Sequence, residues 1–176
     1  MELADALRQR RVCREYRDEP VPAELLDRVV AAAASAPTAS NVPYRQLMVV
    51  DDPAVIRAIR QISPALQANA PCLLIVMTDV ELAVRRVGRV GEKSSMIDSG
   101  AAGENAWLAA IDAGLASQFT MISAMPGILP ILGLPDHYRV DLIMPLGYPA
   151  VAPKRRGAKR AAPVVHRNQY GVHVDA

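Results

Sequence analysis

Apolar residues recur every three to four positions over much of this chain, and each such stretch predicts a helix. Leu3 and Leu7 predict a short amphipathic one over residues 2–10. Leu25, Leu26, Val29, Val30 and Ala33 predict a second, entered after Pro20 and Pro22 and ended by Ser35 to Pro37. Val55, Ile56 and Ile59 predict a third over 54–62, with a further helical turn over 64–69. The longest is expected from about Ser95 to Leu115. Its small residues (Ser99, Ala101, Ala102, Gly103, Ala106, Ala109, Ala110) imply a closely packed neighbour, and Gly114 is its natural stop. A short helix follows over 126–132. Continuous apolar runs read instead as strands: 47–50, stopped by Asp51, Asp52 and Pro53; 72–78, buried on both faces; 117–122; and 141–146, ending at Gly147. Residues 80–90 fit neither period. From Pro149 the chain is rich in Pro, Ala and basic residues, an extended arm that is ordered only against something else.

Composition narrows the class. The 176 residues suit one domain, and 51% hydrophobic with 22% charged residues excludes global disorder. Aromatics are only 4%, which leaves few platforms for stacking bases. The charge is nearly balanced, 20 basic against 18 acidic residues, so no polyanionic partner is announced. Nucleic acid is therefore not expected as a partner. Cys13 and Cys72 form neither a disulfide framework nor a CxxC pair. His137, His166 and His173 lack metal-ligand spacing, so no metal site is expected. The longest uncharged stretch, 119–134, is broken by Pro126, Gly127, Pro130 and Gly133, which excludes a membrane span. The charged start from Glu2 onward, with no apolar segment after it, points to a cytoplasmic protein.

Two features carry candidate chemistry. Arg8, Arg10, Arg11, Arg14 and Arg17 crowd ten residues, and Lys154, Arg155, Arg156, Lys159 and Arg160 do the same near the other end. They are either two solvated basic patches or two halves of one site for a dianion, since guanidinium forks bind phosphate with charge-assisted bonds. The loop Ala36, Pro37, Thr38, Ala39, Ser40, Asn41 has short side chains and free amides, suited either to a plain connection or to a planar heterocycle. Dinucleotide, P-loop, serine-hydrolase and zinc-protease signatures are all absent, and Gly100 to Gly103 lies inside a helical pattern.

In order, the chain carries RRxxRxY at 10–16, APTASN at 36–41 and LMVV at 47–50. Asp98, then Asn105, Ala106, Trp107, Leu108, Ala109 and Ala110, then Gly114 to Ser117 follow. LPxxYxV at 134–140, LGYP at 146–149 and VVHRNQYG at 164–171 complete the series. Together these resemble the FMN-dependent nitroreductase family over nearly the whole chain. The resemblance implies one α+β domain over 1–176, with a mostly antiparallel sheet flanked by helices. It implies a homodimer with FMN at the interface and the arm, 149–176, swapped over the partner. NADH or NADPH would reduce the flavin, which would then pass electrons to a nitroaromatic, quinone or similar acceptor in a ping-pong cycle.

The same resemblance assigns residues. Arg10, Arg11, Val12 and Arg14 match the phosphate-holding segment, with Val12 where the family usually has Ser. Pro37, Thr38, Ala39 and Asn41 match the loop along the isoalloxazine ring and ribityl chain. Thr120, Met121 and Ile122 match the segment whose backbone reaches flavin N5. Lys154 and Arg156 match the basic pair of the arm, with Lys159 and Arg160 as alternatives. Ser40, Tyr44 and Arg45 are the expected substrate contacts; Pro43, Tyr44 and Arg45 replace the Gln-Pro-Trp common in the family. No protein group is expected to act as a catalytic acid, base or nucleophile. An FMN-dependent oxidase of a small metabolite or peptide, a non-catalytic flavin-binding protein, and a nucleic-acid binder using the basic arm are the competing readings.

Overall fold

The computed structural model describes residues 1–63, 65–66, 68–121, 125–152 and 164–171. Among these, six α-helices and three strands follow in the order α1 (Leu3–Gln9), α2 (Ala23–Ala34), β1 (Arg45–Val50), α3 (Pro53–Ile62), β2 (Cys72–Asp79), α4 (Val80–Val87), α5 (Val90–Asp112), α6 (Met125–Leu132) and β3 (Tyr138–Leu146). The strands form one antiparallel sheet in the order β1-β2-β3. Its helices flank it on two sides, which makes the domain α+β. No helix among the described residues is long and apolar enough to cross a membrane.

The central strand β2 explains the two-sided core. Every residue from Cys72 to Thr78 is buried, and alternation sends them to opposite faces. Leu74 and Val76 join Met144, Leu146, Val29 of α2, and Ala102, Ala106 and Ala110 of α5. Leu73 and Ile75 join Ile143, Ile56 and Ile59 of α3, and Ile128 of α6. The small residues of α5 do meet a close neighbour. At Gly103 an added Cβ would sit 2.7 Å from Leu142 and 3.0 Å from Phe119. Gly114, at φ 76°, ends α5 as expected: its N–H bonds the Ile111 carbonyl while Leu115 N–H reaches back to Ala110.

Three expectations need correction. Residues 80–90, which fit no period, are α4 and the start of α5. Asp79 ends β2 and caps α4 at once, accepting from Leu82 N–H at 2.8 Å. The corner behind it is tight, because a Cβ on Gly91 would lie 2.3 Å from the Ala83 carbonyl oxygen. So α5 begins five residues before Ser95, at Val90. The segment from Ser117 is not a full strand. Ala116 pairs with Gly147 and Thr120 with Ile143 in one register, but the partner between them is Pro145, which has no N–H to give. The Pro145 carbonyl accepts from the Tyr16 hydroxyl instead, at 3.4 Å. Over 64–69, among the described residues, the turn-type bond is Leu66 N–H to Ser63 O, while the Asn69 side chain bonds the Tyr16 backbone; Pro64 and Gln67 lie outside the described residues.

A β-bulge at Asp141 shapes the region near the site. Val76 faces Leu142 and Met77 faces Val140, so Asp141 is the extra residue. The bulge turns Arg139 and Asp141 toward α5. There Asp141 accepts from the hydroxyls of Thr78 and Ser99, each at 2.6 Å, and from Arg139 Nε at 2.5 Å. Arg139 also donates to Ser95 Oγ at 2.8 Å. The arm leaves β3 beside the arginine segment: Arg17 N–H bonds Tyr148 O and Ala150 N–H bonds Glu15 O, both at 2.9 Å.

Candidate functional site

Helix α5 is the spine on which the candidate residues assemble. Its Asp98 holds the 36–42 loop, its Gly103 lies under Phe119, and its Glu104 and Trp107 hold Arg10. From Asp98 to Glu104 is six residues, about 9 Å along the axis. The side chains that hold the amide-bearing loop and the arginine segment are thus spaced along one helix.

At the arginine end, Val12 forms a parallel bridge with Ser117, which fixes the segment against the chain leaving α5. Arg10 Nε lies 3.1 Å from Glu104, and its guanidinium sits 4.7 Å over the Trp107 ring. Arg11 donates to the Arg10 carbonyl at 2.6 Å. Among the described residues, no acid pairs with Arg11 or Arg14, and Arg14 is exposed. Ser117 Oγ is buried and has no partner among the described residues. The side chain of Val12 is exposed, so this position offers its backbone and an apolar surface. Lys154, Arg156, Lys159 and Arg160, expected to complete the phosphate site, lie outside the described residues.

At the loop end, Ala39–Asn41 forms a single 3-10 turn in which Ser40 and Asn41 take φ of 55° and 54°. Two successive left-handed residues without glycine are strained, and something must hold them. Asp98 does so from behind. Its Oδ2 accepts from Ala39 N–H at 2.8 Å and from the Tyr44 hydroxyl. That hydroxyl also accepts from Ala39 N–H at 3.1 Å. Burial, then the bond to Asp98, pushes the Tyr44 phenol up to about 12, so it is a neutral donor at neutral pH. Arg45 completes the hold. Its Nη1 donates to Pro37 O at 3.0 Å and Asp98 O at 3.3 Å. Its Nη2 donates to Ala34 O at 3.2 Å and Ala36 O at 2.6 Å, closing the end of α2. Burial lowers the Arg45 pKa, and Asp98 and Tyr44 oppose that shift.

These contacts correct two expected roles. Tyr44 and Arg45 do not face a substrate: Tyr44 is fully buried and the Arg45 guanidinium is spent on carbonyls. Pro37, Ser40 and Asn41 are exposed on the loop's rim, with Thr38 and Ala39 half-buried beneath them. Of the segment expected to reach a flavin, Thr120 is buried and gives its N–H to Ile143 O at 2.9 Å. Met121 is exposed, and its N–H donates to none of the described residues; Ile122 lies outside them. Beside Met121, a cavity of about 300 Å³ is lined by Met96, Ser99 and Gly100 of α5 and by Leu142. A larger hollow of about 860 Å³, between α6 and the start of β3, shares no residue with the expected site. Sequence reasoning gave Asp98, Glu104 and Trp107 no role. The available signal was a carboxylate, Asp98, inside a small-residue stripe, where it needs a partner.

An α+β domain whose sheet and long helix gather an arginine segment, an amide loop and a strand-edge backbone defines a class of oxidoreductase. The sequence profile of the Nitroreductase family matches residues 7–67 and 60–148, and the chain belongs to that family. It is 30% identical over 165 residues to a protein of Methanothermobacter thermautotrophicus provisionally named NADH dehydrogenase/NAD(P)H nitroreductase, covering 89% of this chain and 82% of that one. It is 30% identical over 172 residues to an NADH dehydrogenase of Thermus thermophilus, covering 81% and 84%. An FMN-dependent nitroreductase of Clostridium difficile R20291 superposes with a TM-score of 0.82 at 25% identity, covering 96% of this chain and all of that one.

Proposed function

We propose that this protein is an FMN-dependent NAD(P)H oxidoreductase, acting as a cytoplasmic homodimer on a nitroaromatic, quinone or similar small acceptor. The observation that carries the reading is the α5 spine: its Asp98 holds the amide loop and its Glu104, about 9 Å further along the axis, holds Arg10 of a segment whose Arg11 and Arg14 pair with no acid among the described residues. The residues present suit FMN. Among the described residues, Arg11 and Arg14 pair with no acid and so have donors for a dianionic phosphate, and Ser117 Oγ is a buried hydroxyl without a partner. The loop rim presents small side chains and amides to a flat ring.

Bound FMN would supply hydride transfer at N5 between the nicotinamide and the second substrate. The chain's own residues bind and orient. Arg11 and Arg14 hold the phosphate, with Arg10 fixed beside them by Glu104 and Trp107. Pro37, Thr38, Ala39 and Asn41 line the ring and ribityl chain, and Ser40 stands at the substrate edge. Of Thr120 and Met121, Met121 suits a contact at N5, since its N–H donates to none of the described residues and Thr120's is given to Ile143. Lys154 and Arg156 of the arm add charge to the phosphate. Donor and acceptor take turns at one face in a ping-pong cycle, which needs no protein nucleophile. Exposed Leu3, Leu7, Met96, Ile97 and Met121 form apolar surface that a second copy, with its swapped arm, would cover.

The test is the visible spectrum of the purified protein, followed by anaerobic addition of NADH and of NADPH. A flavin spectrum that bleaches supports the reductase. One that persists with both donors favours an oxidase or a flavin carrier. A protein that stays colourless after incubation with FMN refutes the assignment.

A further inference from the structure

The loop 36–42 is held in its conformation by a bracket that lies wholly on its inner side. Asp98 Oδ2 takes the Ala39 N–H and the Tyr44 hydroxyl, while Arg45 spans Ala34, Ala36, Pro37 and Asp98 carbonyls. Each end of the bracket is anchored. Tyr44 is fully buried, and its backbone carbonyl accepts from Asp79 N–H at 2.8 Å, at the junction of β2 and α4. Asp98 stands on α5, whose next residue, Ser99, is tied to Asp141 at 2.6 Å. The loop's outer rim is left with Pro37, Ser40 and Asn41 exposed, the last two in the left-handed region. Left-handed Ser and Asn cost energy that the loop alone does not recover. Without the bracket, the loop would relax toward other conformers, and only a fraction of molecules would present the rim correctly.

We propose that Asp98 and Arg45 are positioning residues for the cofactor. They preorganise the 36–42 loop so that flavin binding does not have to order it. The inference rests on the FMN reading above. At the positions where the family often has other residues, a buried Tyr44 and a half-buried Arg45 here form a clamp. Preorganisation shows as affinity, because the fraction of competent loop multiplies the intrinsic binding constant.

The experiment is FMN titration of apo-protein, followed by flavin fluorescence and visible circular dichroism, on D98A, D98N, Y44F and R45M. D98A removes two hydrogen bonds, one to Ala39 of the loop and one to the Tyr44 hydroxyl, and is expected to weaken FMN about tenfold. D98N keeps an acceptor oxygen for Ala39 and should bind within about threefold of wild type. R45M should weaken FMN about tenfold, and Y44F about threefold. I59V, in the core on the far side of the sheet, is the stability control. It should lower the melting temperature and leave FMN affinity unchanged. D98A and R45M binding FMN as tightly as wild type, or I59V losing as much affinity as they do at a comparable fall in melting temperature, overturns the positioning role alone. If D98A does not fold, Y44F and R45M decide. Wild-type protein that takes up no FMN overturns this proposal together with the reading it rests on.

Discussion

Replacing Asp141 by alanine isolates the polar network that joins β2, β3 and α5. The carboxylate accepts three bonds, from Thr78, Ser99 and Arg139, and its side chain is 6% exposed against 17% for Arg139. Its removal leaves a mostly buried guanidinium without its counter-charge, a change that costs about 3–5 kcal/mol where such pairs are broken. Two hydroxyls lose an acceptor at about 1 kcal/mol each, in part already counted because all three bonds share one oxygen pair. A loss of about 4 kcal/mol follows, against a total of about 5–15 for a domain. At a urea slope of about 2 kcal/mol/M, the midpoint should fall by about 2 M. D141N keeps one acceptor and should lose about half as much. R139M/D141A should recover more than about 1 kcal/mol relative to D141A, because the unpaired charge is gone. Equilibrium urea unfolding, followed by circular dichroism with an unchanged slope, is the assay. A D141A protein within about 1 kcal/mol of wild type would refute the reasoning, as would an R139M/D141A double variant weaker than D141A.

The α4–α5 corner should reject any side chain at Gly91, since its Cβ would meet the Ala83 carbonyl at 2.3 Å. G91A should lower stability by about 2–3 kcal/mol, read from thermal unfolding, whereas G100A, with nothing within 4 Å, should be neutral or better. Stability should fall with rising alkalinity. Burial raises Cys72 from 9.0 and Tyr44 from 10.0, each to about 12, and raises Tyr16 as well. Folded values above unfolded ones mean a contribution present in full below about pH 9 and lost progressively toward pH 12. Urea midpoints from pH 7 to 11 should decline above pH 9, and Y44F should flatten the decline above pH 10; a flat profile for wild type would count against the burial of these groups. R14A should weaken FMN about tenfold and reduce the salt dependence of its binding, read by fluorescence titration at two ionic strengths.

The fold was legible wherever one period held over a whole element. Residues 25–33, 55–59 and 72–78 each bury a face or a full strand, so the apolar pattern and the structure report one quantity. It was not legible where tertiary pairing decides. Nothing in the run from Ser117 says that its middle partner will be Pro145, some 28 residues on, and hence that a strand-like sequence will bond only at its ends. The shift at Asp141 is hidden for the same reason. Alternation counted back from Ile143 would send Arg139 and Asp141 toward α3, and a bulge sends them to α5.

The candidate site divides along the same line. Motif order gives which segments meet, because a family's segments meet whatever their side chains do; it does not give which way each side chain turns. Tyr44 and Arg45 show the consequence. As residue types, a phenol and a guanidinium beside a binding loop suggest recognition of an acidic substrate. In the fold, Tyr44 lies in β1's approach with its ring among Val42 and Ala83, and its hydroxyl meets Asp98 and the Ala39 N–H. Arg45 opens β1, with four carbonyls from the end of α2, the loop and α5 within reach of its two terminal nitrogens. Backbone carbonyls are invisible in a sequence, and they are what the guanidinium binds. A polar residue at a departure from a family pattern is thus as well explained by a backbone that needs holding as by a substrate that needs binding. The strained φ values at Ser40 and Asn41 mark this loop as one that needs holding.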